Sequence, residues 1–332
     1  MDETAWLTEL ARNVHELYEY GGGADAVTLV VDGRGNVRKD RRKALISGYW
    51  HYPETGITTE IYDFANNTLS PGHDMRVARS DHASVTLPSG HIAVFGGYNY
   101  EDGPLSSFEL FSPVNEVFWR TGEMSAPRAG CAAVLLRNGI VMIIGGMGSK
   151  GATNTCEFYD PWTNIFYRAA AKLWFSVTGH TATLLANGSV LVAGGRNADA
   201  FYRITQIYSP ETDEFRCGPE MIECRCGHTA TTLPNGKVLF TGGVDFKPSK
   251  STEIYDPDTR QFCAGPDMTS RRSESFSISR PDGKVIIGGG EPNSSSHTTE
   301  LYDPLTNSFS PHLELKGGGV DFGRVQSAAS NY

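Results

Sequence analysis

Six short apolar runs, each closing on glycine, punctuate the chain: KALISGY (43–49), HIAVFGG (91–97), IVMIIGG (140–146), SVLVAGG (189–195), KVLFTGG (237–243) and KVIIGGG (284–290). The first glycine of each aligned pair is Gly48, Gly96, Gly145, Gly194, Gly242 or Gly289, so successive units are 48, 49, 49, 48 and 47 residues apart. Self-similarity at such a period marks an array of supersecondary units that bury a core only against their neighbours. Within each run the apolar residues are consecutive rather than alternating, the pattern of a strand covered on both faces.

Each unit carries the same further signals. Repeat five opens with the β-rich run His228-Thr229-Ala230-Thr231-Thr232-Leu233, followed by Asn235-Gly236 and the apolar run Val238-Leu239-Phe240. Asn-Gly between two strand-like runs predicts a type I′ hairpin; its equivalents are Ser89-Gly90, Asn138-Gly139, Asn187-Gly188 and Asp282-Gly283. After the glycine pair comes a variable polar loop, then a third strand, Glu253-Ile254-Tyr255. Asp256-Pro257-Asp258-Thr259 then reads as a type I turn, with proline where its fixed φ suits, and Phe262 marks a fourth strand.

The glycine doublet, the Glu-x-Tyr-Asp-Pro-x-Thr unit and the lead-in Met-x-x-x-Arg (Met75 to Arg79, Met124 to Arg128, Met268 to Arg272) together resemble the kelch repeat, over roughly residues 25–311. The resemblance implies an all-β fold, a six-bladed β-propeller, with blades at about 25–70, 75–121, 124–170, 174–218, 222–265 and 269–311 inside a domain spanning 24–315. A seven-bladed ring would need both termini to build one more blade. Blade one departs from the pattern, with a first strand at Ala26 to Val31 and a basic insertion from Arg34 to Arg42. Ahead of it, Trp6, Leu7, Leu10, Val14, Leu17 and Tyr18 recur at helical spacing before Gly21-Gly22-Gly23, which predicts an amphipathic helix and linker over 1–23. Residues 316–332 read as a tail.

Composition narrows the function. Of 332 residues, 37 are glycine, in keeping with many tight turns, and the formal net charge is −9 with a pI near 5.5. That balance argues against nucleic acid or an anionic membrane as the main partner. No apolar run approaches a bilayer span, and no secretory signal is visible at the N-terminus. The expectation is a monomeric protein of the cytoplasm, with a nuclear location left open. Six cysteines are too sparse for a disulfide scaffold.

Strand alternation places the Asn-Gly hairpins and Asp-Pro turns on one face. The loops between second and third strands share the other face with the connections between blades. That second face varies in length and chemistry and holds Trp50, Tyr52, Tyr98, Tyr100, Arg196, Phe201, Tyr202, Arg203, Phe246 and Glu291. Tyr, Trp and Arg dominate interface energetics, so this face is the expected binding surface for a protein or peptide. Kelch relatives commonly act as substrate receptors or scaffolds, which makes such a role the functional expectation.

Arg79, Arg128, Arg225 and Arg272 share one repeat position, and Glu109, Glu157, Glu253 and Glu300 another. Repeat four lacks both, with Val177 and Gln206 in their places. This covariation predicts an Arg–Glu ion pair inside each blade, a reading preferred over ligand recognition at the channel mouth. His82, His180 and His228 also recur at one position. They are channel-mouth candidates as well, although repeats three and six carry Cys131 and Ser275 there, so no metal site is expected. Cys224-Arg225-Cys226-Gly227-His228 has metal-like residues at the wrong spacing. Walker, G-x-S-x-G and H-E-x-x-H motifs are missing, and no cofactor is expected. The alternative is an enzyme of epimerase, lyase or oxidase type acting on a small polar substrate at the channel mouth. The copper-oxidase set of kelch relatives cannot be placed on this chain.

Overall fold

The computed structural model describes residues 27–30, 43–47, 50–51, 54–55, 57, 59–63, 68–113, 115–245, 247–280, 282–290 and 298–314. Among them there is no helix; the helix expected over residues 4–20 lies outside the described residues. The architecture is all-β and arranged as a β-propeller. Six antiparallel four-stranded sheets succeed one another along the chain, over 27–71, 83–123, 132–172, 181–217, 229–264 and 276–314, and take their numbers in that order. Sheet five is representative, with strands Thr229–Thr232, Val238–Thr241, Thr252–Asp256 and Gln261–Ala264 hydrogen-bonded in sequence. The first strands pack side by side: sheet one against two, two against three and on to six, which returns to one.

The consecutive apolar runs are the second strands, and in sheets two to six every residue of them is buried. They have no polar face because a neighbouring sheet covers each side. The core is accordingly a series of clusters between adjacent sheets, such as Leu185, Leu191, Ala230, Val238 and Phe240.

The turns differ from the expectation. Gly139 donates to Leu136 O at 2.8 Å, Leu136 donates to Ile140 O at 2.8 Å, and Gly139 has φ 78° while Asn138 is not left-handed. This is a three-residue loop ending in a left-handed glycine, not a two-residue type I′ turn. Asn138 Oδ1 accepts the Ile140 N–H at 3.1 Å, and Asn187, Asn235 and Asp282 repeat the contact. The Asp-Pro turns likewise end on a left-handed residue, and the hydroxyls of Tyr159, Tyr208 and Tyr302 donate to its side chain.

A ring of backbone contacts joins the sheets at the start of the first strands. Gly130 donates to Asp81 O, Gly179 to Gly130 O, Gly227 to Gly179 O and Glu274 to Gly227 O, at 2.6–2.9 Å, and all five residues are left-handed. The glycine doublets connect neighbours too: Gly97 donates to Arg128 O and Gly243 to Arg272 O, each at 2.8 Å.

These contacts separate two kinds of glycine. Gly236 has φ +78° with open space around it, whereas a Cβ on Gly242 (φ +64°) would collide with the Arg272 carbonyl oxygen of the next sheet. Gly236→Ala is expected to cost about 1 kcal/mol for left-handed backbone. Gly242→Ala is expected to cost at least about 3 kcal/mol, because overpacking adds to the same strain. Urea unfolding checks this, and equal losses would show that the doublet glycine is not held by its neighbour.

Candidate functional site

The four lead-in arginines are buried at 0–1% exposure, each beside the expected glutamate. Arg79 meets Glu109 at 2.9 Å, Arg128 meets Glu157 at 3.0 Å, Arg225 meets Glu253 at 2.8 Å and Arg272 meets Glu300 at 3.1 Å. The rest of each guanidinium is occupied in a repeating way. Arg128 Nη1 donates to Gly145 O at 2.7 Å and Thr155 O at 2.8 Å, and Nη2 donates to Thr155 Oγ1 at 2.9 Å. Arg79, Arg225 and Arg272 make the same three kinds of bond. The glutamates also accept backbone N–H groups of the lead-in, as Glu253 does from Ile222 and Glu223. A desolvated pair is stable only when both partners are so satisfied. Each of the four guanidinium groups is thus withdrawn from solvent and engaged within its own sheet.

Sheet four keeps the neutral half of this scheme. Gln206 Oε1 accepts the Trp174 N–H at 2.8 Å, and Val177 joins an apolar cluster with Leu173, Tyr208 and Phe215.

His82, His180 and His228, the other channel-mouth candidates, are buried at 0–1% exposure. His82 Nε2 bonds Ser47 Oγ of sheet one at 2.9 Å, and His228 Nε2 bonds Thr181 Oγ1 of sheet four at 3.0 Å. Gly145 of sheet three leaves room for the His180 ring. Burial, reinforced by Arg79, pushes His82 down to about 3; burial alone dominates at His180, at about 4; burial and Arg225 bring His228 to about 3. Burial also raises the Cys131, Cys156 and Cys226 thiols to about 12, and Cys224 is shifted upward, so none of the four is an activated nucleophile. Among the described residues no three His, Cys, Asp or Glu side chains are grouped to hold a metal.

The opposite situation holds on the loop face. In sheets one, two, three and five a two-residue ribbon forms just beyond the second strand, as in Tyr98–Asn99 with Gly103–Pro104 or Val244–Asp245 with Lys247–Pro248. In sheet four the bridge Arg196 to Phe201 replaces it. Bridges such as Ser80 to Tyr98 and Thr178 to Arg196 fasten these ribbons to the lead-ins. The ribbons present Tyr98 edge-on to exposed Tyr100 at 6.1 Å, and Arg196 lies over the Phe201 ring at 5.9 Å. Exposed Arg203 pairs with Glu220 at 2.8 Å. The backbone of Trp50 lies in the sheet-one ribbon, while its side chain and residues Tyr52, Phe246 and Glu291 lie outside the described residues.

Sequence reasoning missed two exposed aromatics of this face. Trp174 is 55% and Phe175 39% exposed on the lead-in of sheet four, and Phe175 stacks against Tyr202 at 5.8 Å. The signal was available: Trp174 stands where other lead-ins have Arg76, Ser125, Ile222 and Thr269.

Comparison with known proteins agrees with the repeat. The kelch motif matches residues 224–269. Alpha-scruin of Limulus polyphemus is 29% identical over 102 residues, covering 29% of this chain and 11% of its own length. The match thus spans about a tenth of that relative. Among solved structures, a fungal alcohol oxidase of catalytic diversity, in complex with copper, superposes with a TM-score of 0.63 at 17% identity, covering 90% of this chain and 67% of the oxidase chain. At that identity the likeness concerns the fold alone. Repeat, propeller arrangement and motif match define a β-propeller protein built from sequence repeats. Within that repeat array the chain shares the kelch motif over residues 224–269.

The buried groups make stability testable in two ways. Arg128→Ala should cost about 3–5 kcal/mol by leaving Glu157 buried and unpaired. Arg128→Val with Glu157→Gln, which copies sheet four, should cost clearly less than the single change in urea unfolding; a double variant as damaged as the single one would refute the pairing argument. The histidines are neutral in the folded state, while the unfolded chain protonates them near 6.5. The unfolded state then binds more protons, so stability falls as pH drops from about 6.5 toward 3–4, by about 1.4 kcal/mol per pH unit for each histidine. His180→Gln should flatten that acid slope by one such increment, read from unfolding free energies across pH 4.5–6.5.

Proposed function

We propose that this chain is a protein- or peptide-binding module, a six-bladed kelch propeller that holds its partner on the loop face. The observation carrying this reading is the set of aromatic and arginine side chains held at the loop face, Tyr100 and Arg196 exposed and Tyr98, Phe201 and Tyr202 half-buried. Tyr202 packs on the core of sheet four, but core packing does not call for an aromatic at exposed Tyr100, and rigid aromatics lose little entropy on binding. The backbone bridges between ribbons and lead-ins support the same view, since a surface ordered in advance binds at lower cost. The first strands of the six sheets, packed in a closed succession, support the blade number. A role as substrate receptor or scaffold is consistent with this surface, and the kelch family makes it the natural choice.

The test is quantitative affinity capture from the cell of origin with wild type and with Tyr98→Ala/Tyr100→Ala/Arg196→Ala. Partners held through the loop face should fall at least tenfold in recovery, while a hairpin-face control, Asn187→Ala/Ser189→Ala, should retain them. An unchanged partner set with the triple variant would remove the loop face as the binding site.

A further inference from the structure

We propose that the chain's own N-terminal segment, residues 2–20, docks across the loop face onto the aromatic patch of sheet four. The docking stands independently of the partner reading; only its consequence, competition with a partner for the same face, rests on that reading.

The patch is the first observation. Trp174 and Phe175 are exposed, Phe175 stacks on Tyr202, and Tyr202 in turn packs on the cluster that contains Val177. In sheets two, three, five and six a buried Arg–Glu pair occupies the position of Val177 and Gln206. Sheet four alone among these lets its apolar core run continuously to exposed aromatics. An apolar surface anchored in this way suits a docked apolar side chain.

Charge is the second. Lys150, Lys172 and Arg196 are exposed beside the sheet-four lead-in and ribbon. The acids of this side are Asp199, Glu220, Glu223 and Asp245; Glu220 is engaged by Arg203 and Glu223 by Arg225. Sheet two is more acidic, with Asp74, Glu101, Asp102 and Glu123 exposed around its loops against Arg76. Residues 2–20 contain Asp2, Glu3, Glu9, Glu16 and Glu19 against Arg12 alone, and their Trp6, Leu10, Val14 and Leu17 recur at helical spacing. The segment therefore matches the sheet-four sector in both apolarity and charge, and would be repelled by sheet two.

The attachment point is the third. Residues 1–26 lie outside the described residues, and the chain they precede enters at Val27, the start of the first strand of sheet one. First strands begin on the loop face, where the lead-ins bond the ribbons. Sheet one stands across the succession from sheet four. Six extended residues reach about 20 Å, and seventeen residues in helical form add about 25 Å.

Zero-length carbodiimide cross-linking of the full chain, read by mass spectrometry, tests the docking. Expected are links from Glu9, Glu16 or Glu19 to Lys150 or Lys172, with the Lys237–Asp256 ion pair (2.9 Å) as an internal control. Leu10→Asp/Val14→Asp keeps every cross-linking group, yet should cut those links at least tenfold and speed amide exchange over 173–177. Trp174→Ser/Phe175→Ser should lose the same links at an unchanged melting temperature, and Tyr98→Ala/Tyr100→Ala should keep them. The proposal is overturned if the control forms and these links do not, or if Leu10→Asp/Val14→Asp leaves them intact. It is also overturned if the sheet-two variant removes them, or if mixed 14N and 15N chains give links between copies. Capture that is unchanged in the triple variant, with the links present, would sink the partner reading and leave the docking standing.

Discussion

The buried guanidinium of the lead-in is the constraint on which the loop face depends. A charge removed from water is tolerated only when its counter-ion and nearly all its donors are met, and four positions of one sequence repeat meet that demand with the same groups. The glutamate comes from the third strand, one carbonyl from the glycine doublet and another, with its neighbouring hydroxyl, from the start of the third strand. The glutamate then reaches back to backbone N–H groups of the lead-in. Lead-in, doublet and third strand are thereby one unit, and the loops between them start from fixed points.

In sheet four the charge is given up, and both positions change together. Loss of the arginine alone would have stranded a carboxylate, and loss of the glutamate alone a guanidinium, so a neutral replacement has to be made at each. Gln206 preserves a bond to the lead-in backbone, from the Trp174 N–H. Val177 converts the remaining polar volume into core. The side chains above it no longer cover a charged network but an apolar one, and among the lead-ins of sheets two to six only this one places aromatic residues at these two positions.

Much of this was legible in the residues because the physics leaves a repeating mark. The doublet period reflects backbone approach between sheets, and the joint absence of Arg and Glu from repeat four reflects the cost of an unpaired buried charge. Other features left no such mark. The hairpin type was misread because Asn-Gly was taken as the whole turn; the residue before it also belongs to the loop, with only the glycine left-handed. The depth at which the histidine rings settle also left no mark, because strand alternation gives a face and not a depth; His82 and His228 each bond a hydroxyl of the preceding sheet. Trp174 and Phe175 went unremarked because a lead-in written as Met-x-x-x-Arg hides what fills the variable positions.

One face can vary and the other cannot, because the two carry unequal structural duties. On the hairpin face nearly every residue has one. A glycine must be left-handed, an Asn or Asp oxygen must receive the N–H two residues on, and the residue closing each Asp-Pro turn must take the left-handed conformation while holding a tyrosine hydroxyl. Even Trp162, the most exposed aromatic there, sits against Gly139 of the neighbouring turn. On the loop face the obligations end at the doublet, the lead-in arginine and one bridge per ribbon. Beyond those fixed points the fold makes no demand of the side chains, so exposed aromatics at Tyr100, Trp174 and Phe175 carry a desolvation advantage that only a contact with something else can realise.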